Sequence, residues 1–195
     1  MKILLHVCCA VCAAYCLEKL RQEGHEVTGF FYNPNIHPEQ EYLKRLEETE
    51  RLGREQRFPL IVGDYNLEAW SRRIKGWEQE PEGGRRCPEC FGLRLEATAK
   101  LAEEKRFEAF ATTLTVSPHK NAKVINKIGS DIANGLFLTR DFKKQDGFKK
   151  TQELAKQYNL YRQDYCGCIY SLKERRKDGR IHKKARPLGH KDETS

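Results

Sequence analysis

Seven of the eight cysteines in this chain stand in three short groups: Cys8, Cys9 and Cys12; Cys87 and Cys90; and Cys166 and Cys168. Only Cys16, one helical turn beyond Cys12, lies outside them, and it reads as a small core residue, the common fate of a lone free thiol. Thiols grouped in this way could hold metal or cycle between dithiol and disulfide. Cys87-Pro88-Glu89-Cys90 alone permits a zinc site, a redox dithiol or half of an iron-sulfur site. Structural zinc usually takes two such pairs in one compact finger or ribbon, whereas the other thiols here are the sequence neighbours Cys8 and Cys9. Soft thiolates drawn from separate loops suit a cluster better. Successive side chains of a strand point to opposite faces, so a turn must reorient one of Cys8 and Cys9. That favours metal ligation by this pair together with Cys87 and Cys90.

Cys166-Gly167-Cys168 is too closely spaced for an easy disulfide, and Gly167 supplies the backbone freedom that so small a ring would need. A strained disulfide is readily reduced, which suits redox cycling and not structure. Two further metal ligands is the competing reading of this pair. His6 reads as a strand-end residue and not as a ligand.

The elements that must position these thiols follow from the hydrophobic pattern. Residues 2–7, 26–32, 58–62, 108–113 and 136–138 read as strands. Helices are expected over 11–22, 39–57, 66–74, 88–105, 121–132 and 148–158. Strands alternating with helices imply a parallel sheet covered on both faces and joined by right-handed crossovers. Ligands of such sheets bind beyond the carboxyl ends of the strands. There the sequence puts Cys8, Cys9 and Cys12 after the first strand, Asn33 to His37 after the second, and Ser117 to Lys120 after the strand at 108–113. The long stretch from Lys75 to Cys87 can bring Cys87 and Cys90 to the same rim.

A length of 195 residues suits one domain with a core that needs no disulfide staples. No apolar run approaches the ~20 residues that span a bilayer. The run Ile3-Leu4-Leu5 is far short of the roughly 7–15 apolar residues of a signal peptide, so a reducing, cytoplasmic location is expected, where structural disulfides are rare. Net charge is +8. Residues 173–195 hold nine Lys or Arg against four Asp or Glu, leaving only +3 to the rest of the chain. This tail reads either as a phosphate-binding arm or as a solvated terminus.

Taken in order, His6-Val-Cys-Cys-Ala-Val-Cys12, Tyr32-Asn-Pro-Asn-Ile-His-Pro38, Arg86-Cys-Pro-Glu-Cys90 with Arg94-Leu95, and Leu160-Tyr-Arg-Gln-Asp-Tyr-Cys-Gly-Cys-Ile-Tyr-Ser171 resemble the QueH family of epoxyqueuosine reductases. The resemblance covers about residues 1–172. Departures fall at Val11, where the family usually has proline, and at Ala13, where it has a small polar residue; neither touches a thiol. It implies an α/β, Rossmann-like (HUP-type) catalytic domain over 1–172, with a helical and basic C-terminal region and a basic tail over 173–195. PP-loop enzymes of that fold group carry a Ser-Gly-Gly-rich phosphate loop after the first strand. Cysteines stand there in this chain, so ATP use is not supported.

The resemblance further implies a 4Fe-4S cluster held by Cys8, Cys9, Cys87 and Cys90, with Cys166 and Cys168 as a redox-active pair. Cys12 would support the cluster or hold an additional iron or zinc ion. The implied substrate is tRNA with epoxyqueuosine at the wobble position, whose epoxide becomes the alkene of queuosine with loss of water. The reaction consumes two electrons and two protons from a donor the sequence does not identify. Proton-donor candidates are His37, His119, Asp141 and Tyr165. Substrate contacts are expected from Tyr161, Arg162, Tyr165, Lys183 and Lys184, with Tyr170 as a further ring on which a base could stack. Two rivals share parts of the pattern: a zinc-stabilised RNA-binding module and a PP-loop-like tRNA-thiolating enzyme.

Overall fold

The computed structural model describes residues 1–179. Strand β1 (Lys2–His6) leads into helix α1 (Ala10–Gln22), and the chain turns at Gly24 into β2 (Glu26–Phe31). Helix α2 (Glu39–Glu55), β3 (Leu60–Val62), α3 (Leu67–Arg73), α4 (Arg86–Glu104) and β4 (Ala109–Thr112) follow. A 3-10 turn at Thr113–Val116 then precedes α5 (Ala122–Ile132), α6 (Gly147–Gln157) and α7 (Ile169–Lys177). The four strands are all parallel, in the order β3-β2-β1-β4. Every strand therefore ends at the same edge of the sheet, as the alternating pattern requires.

The period of two along β1 divides the core into two layers. Ile3, Leu5 and Val7 pack with Ala13, Cys16, Leu17 and Leu20 of α1 on one face. Leu4 packs with Phe91, Leu95 and Ala99 of α4 and with Ile125 of α5 on the other. Cys16 is fully buried in the first layer, as its lone position suggested. Side-chain caps start α3 and α5 among others: Asn66 accepts from Ala69 N, and Asn121 from Lys123 N and Val124 N, each satisfying backbone donors that a first turn leaves free.

Two local readings change. Residues 136–138 form no strand; they make one parallel bridge, Phe110 to Phe137, closed by hydrogen bonds from Phe110 N to Leu136 O (2.9 Å) and from Leu138 N to Phe110 O (2.8 Å). The Phe137 ring packs tilted against Phe110, centroids 5.1 Å apart, and fills the space that a Cβ at Gly129 would need. Helix α7, which has no apolar stripe to announce it, crosses residue 172.

Candidate functional site

Burial leaves His6 little choice of role. Its Nε2 lies 3.2 Å from the Tyr32 carbonyl, so that nitrogen donates, and Nδ1 accepts from the Thr112 hydroxyl at 2.9 Å. Burial drives its pKa down to about 3, and the neutral ring ties the ends of β1, β2 and β4 together.

The turn demanded by adjacent Cys8 and Cys9 comes just beyond. Cys9 has extended backbone (φ −173°, ψ 162°), and its carbonyl accepts the Ala13 N–H as α1 begins. Cys12 follows on the first turn of that helix, and the sulfurs of Cys8, Cys9 and Cys12 all lie within 4.8 Å of one another. The Thr113 hydroxyl accepts from Cys8 N at 3.1 Å and reaches Cys8 Sγ at 3.3 Å. Hydrogen bonds from Cys12 and Cys9 hold the Cys8 thiol well below its ordinary pKa, against burial and with help from Lys120 and Thr113. Cys9 is pushed the other way, to about 12: a hydrogen bond from Cys12 favours its charge, but donating to Cys8 and being buried outweigh it. Cys12, which donates to both neighbours, is raised well above the usual thiol range. The three thiols are therefore unequal, with Cys8 the most readily ionised, and form a donor set that a soft metal ion or cluster fits.

Helix α4 brings the second group. Cys87 lies in its first turn and Sγ accepts from Gly83 N at 3.2 Å; burial raises its pKa to about 12. Cys87 borders the same apolar cluster as Cys8. Cys90, nearly one turn further on, packs with Trp70, Ile74 and Cys168. The third group rests on Arg45, whose guanidinium is buried and donates to Tyr165 O (3.1 Å), Cys166 O (3.1 Å) and Glu41 (2.7 Å). Gly167 has φ +131°, and a Cβ there would stand 3.1 Å from both Arg45 Nη1 and Ile36, so glycine is needed for conformation and space alike. Cys168 caps α7, with Sγ accepting from Ser171 N at 3.4 Å, and burial followed by the Cys166 charge raises its pKa. All eight cysteines are free thiols.

A cavity of about 330 Å³ opens at this edge, lined by Cys8, Cys12 and Cys166 together with Arg45, Arg94 and Lys120. Burial works against the Lys120 charge, but Cys166, Cys8 and Cys12 more than offset it and raise the ammonium pKa. Lys143 Nζ donates to Thr115 O (2.9 Å) and Lys120 O (3.1 Å), fixing the loop that carries Lys120. Arg94 donates through Nε to Cys90 O at 3.0 Å, while its buried Nη2 has no partner within the protein. Gln163 closes the cavity from the far end of the chain, with Nε2 3.0 Å from Cys9 Sγ.

The expected substrate and proton-donor residues part company here. Arg162, Tyr165 and His119 line the cavity. Tyr165 is buried, and its hydroxyl is spent on the His37 carbonyl. Tyr161 donates to Glu41 at 2.9 Å beneath the Lys44 ammonium, and Tyr170 lies between Arg86 and Trp70. His37 packs on Trp70 and bonds Asn35 O. Asp141 is engaged by Lys143. Neither is in the cavity lining. Lys183 and Lys184 lie outside the described residues. Lys120, Arg45 and Gln163 were not singled out as individual site residues; for Lys120 the only signal was its loop after β4.

Comparison with known proteins identifies the family. Residues 3–174 match the family described as Epoxyqueuosine reductase QueH. A protein of that name from Streptococcus pyogenes is 42% identical over 180 residues, covering 88% of this chain and 70% of its own length. Another from Acinetobacter baylyi is 41% identical over 177 residues, covering 89% and 81%. A third, from Thermotoga maritima, is 36% identical over 180 residues, covering 89% and 92%. Among solved structures, the U34-tRNA thiolase NcsA from Methanococcus maripaludis with its 4Fe-4S cluster superposes with a TM-score of 0.55 at 13% identity, covering 88% of this chain and 61% of its own. A predicted subunit of tRNA methyltransferase from Methanocaldococcus jannaschii gives 0.54 at 14% identity, covering 79% and 74%. These two likenesses concern the fold alone, a parallel α/β sheet flanked by helices.

Proposed function

Because the chain belongs to the QueH family of epoxyqueuosine reductases, we propose that its cavity receives the epoxyqueuosine nucleoside of a tRNA wobble position and converts it to queuosine. The observation that carries this reading is one cavity wall shared by Cys8, Cys12, Cys166 and Lys120: thiols for metal and electrons, and an ammonium for the oxygen that leaves. A volume near 330 Å³ falls within the range of small-molecule sites.

Cys8, Cys9, Cys87 and Cys90 would hold a 4Fe-4S cluster, with Cys12 supporting it or binding one more iron or zinc ion. The close grouping of Cys8, Cys9 and Cys12 and the apolar cluster that Cys8 shares with Cys87 support this reading, and the nearby Arg45 and Lys120 would offset thiolate charge. When bound, the cluster supplies electrons one at a time. The chain's own residues do the rest. Oxidation of the Cys166 and Cys168 thiols to a disulfide releases two electrons and two protons, matching the opening of the epoxide to an alkene and water. A reductant of unidentified nature then restores the dithiol. Lys120 is placed to hydrogen-bond the departing oxygen, and Arg94 Nη2 offers a buried donor with no protein partner.

One observation favours a second reading of Cys166 and Cys168. Cys168 packs against Cys90, a placement that also suits metal ligation. A reducing cytoplasm fits eight free thiols, and no helix of the described residues is long and apolar enough to cross a membrane. The deciding experiment is mass analysis of the modified nucleoside after incubating reduced, iron-sulfur-reconstituted protein with epoxyqueuosine tRNA. Queuosine is expected; its absence would refute the proposal.

A further inference from the structure

Unpaired bases stack on an exposed aromatic face, and the tyrosines near the Cys166 loop are buried or half-buried. Tyr165 is buried, Tyr161 is bonded to Glu41 under Lys44, and Tyr170 is covered by Arg86. Phe148 behaves differently. Its ring is 40% exposed, the one aromatic among the exposed large hydrophobic side chains of the described residues, and it lines the same cavity as Cys8, Cys12 and Cys166.

The backbone that presents Phe148 is tightly specified. Gln145 and Asp146 both take the left-handed conformation, at φ 55° and 60°, which is uncommon for non-glycine residues and persists where the surroundings dictate it. Gly147 comes next, and a Cβ there would fall 1.8 Å from the Phe142 carbonyl oxygen. Thr151 then bonds back to Gly147 O at 2.7 Å. A turn held this firmly delivers an apolar ring to the rim, where water would otherwise disfavour it. Lys144 before the turn and Lys149 and Lys150 in the first turn of α6 are exposed, and none is in an ion pair among the described residues.

We propose that this rim is a binding strip for single-stranded RNA. A base adjacent to the modified nucleotide stacks on Phe148, while Lys144, Lys149 and Lys150 contact its backbone phosphates. The inference rests on the family's reaction and adds to it the face on which the anticodon loop is held. An exposed ring with unpaired cations close to it in sequence is a combination suited to single strands, since every base has a stacking face and every nucleotide a charge.

The test measures binding of epoxyqueuosine tRNA, and of its isolated anticodon hairpin, to the full-length, iron-sulfur-reconstituted protein. Phe148→Ala should weaken binding by about 5- to 150-fold, the range for losing one stacked base, and Phe148→Tyr should restore it. In turnover the loss should fall on KM more than on kcat. Replacing Lys149 and Lys150 with Ala should make the salt dependence shallower by roughly 0.7 per lost contact. Parent-like affinity of Phe148→Ala would overturn the proposal. So would an Ala defect that Tyr does not rescue, or parent-like tRNA affinity with slowed turnover on a protein reductant, which would assign the strip to that reductant. Failure of the family reading looks different: the parent protein would bind tRNA yet form no queuosine.

Discussion

Replacing Arg45 with alanine should unfasten the Cys166 loop, and the size of the effect can be worked from its contacts. The guanidinium is 2% exposed and donates to Tyr165 O, Cys166 O and Glu41. Hydrogen bonds from a charged donor are each worth about 1.5–3 kcal/mol net, and breaking a buried ion pair by removing one partner costs about 3–5 kcal/mol. The two routes overlap because they count the same bonds, so a loss of about 3–5 kcal/mol is expected. For a domain of this size that corresponds to a fall in Tm of roughly 6–20 °C. Arg45→Lys should recover part of it, since lysine can pair with Glu41 but lacks the fork that reaches two carbonyls. Thermal unfolding of the reduced, metal-free protein is the assay. A loss under about 1 kcal/mol for Arg45→Ala would show that water replaces the guanidinium at both carbonyls, and the idea that Arg45 positions Cys166 would fail.

Serine at Cys8, Cys9, Cys87 or Cys90 should remove most cluster iron from the reconstituted protein while Cys16→Ala does not; parent iron content in Cys87→Ser would remove that residue from the ligand set. Serine at both Cys166 and Cys168 should leave iron nearly intact and abolish repeated turnover, and oxidation of the parent should lighten the peptide containing residues 165–169 by two hydrogens. Iron loss in that double variant would make the pair ligands. His6 gives a pH prediction: its folded pKa is depressed from 6.5 to about 3, so the unfolded chain binds the extra proton first, and the stability it confers is complete above about 6.5 and lost as pH falls toward 3. From pH 7 to 5 this single group should cost about 2 kcal/mol, read as a drop in urea midpoint that His6→Gln largely removes; an equal drop in the variant would place the pH response elsewhere.

Much of the architecture was legible because it is local. The alternation in Ile3-Leu4-Leu5 and the apolar spacing through α1 and α4 each specify an element and the face it buries. Cysteine spacing likewise marked the strand-end turn and the start of α4. What the sequence withheld was long-range. Nothing near Arg45 announces that it will hold carbonyls 120 and 121 residues away, and nothing near Tyr161 shows that Glu41 will claim its hydroxyl. Helix α7 hides within a charge run because its start depends on the Cys168 cap and on packing, not on an amphipathic repeat. Phe148 looked like one more apolar residue in a helix until its exposure was known.

The bond between Gln163 and Cys9 joins residues 154 positions apart, and so dates the completion of the site during synthesis. At about 5–20 residues per second, the ribosome adds that interval in roughly 8–30 s. For most of it, the first thiol triad is outside the ribosome while the loop that covers it has not yet been made. A nascent chain therefore leaves Cys8, Cys9 and Cys12 open to oxidants and stray metal ions well before the cavity exists to shield them. Slow translation or oxidative stress should damage newly made protein at Cys8, Cys9 and Cys12 far more than the finished fold.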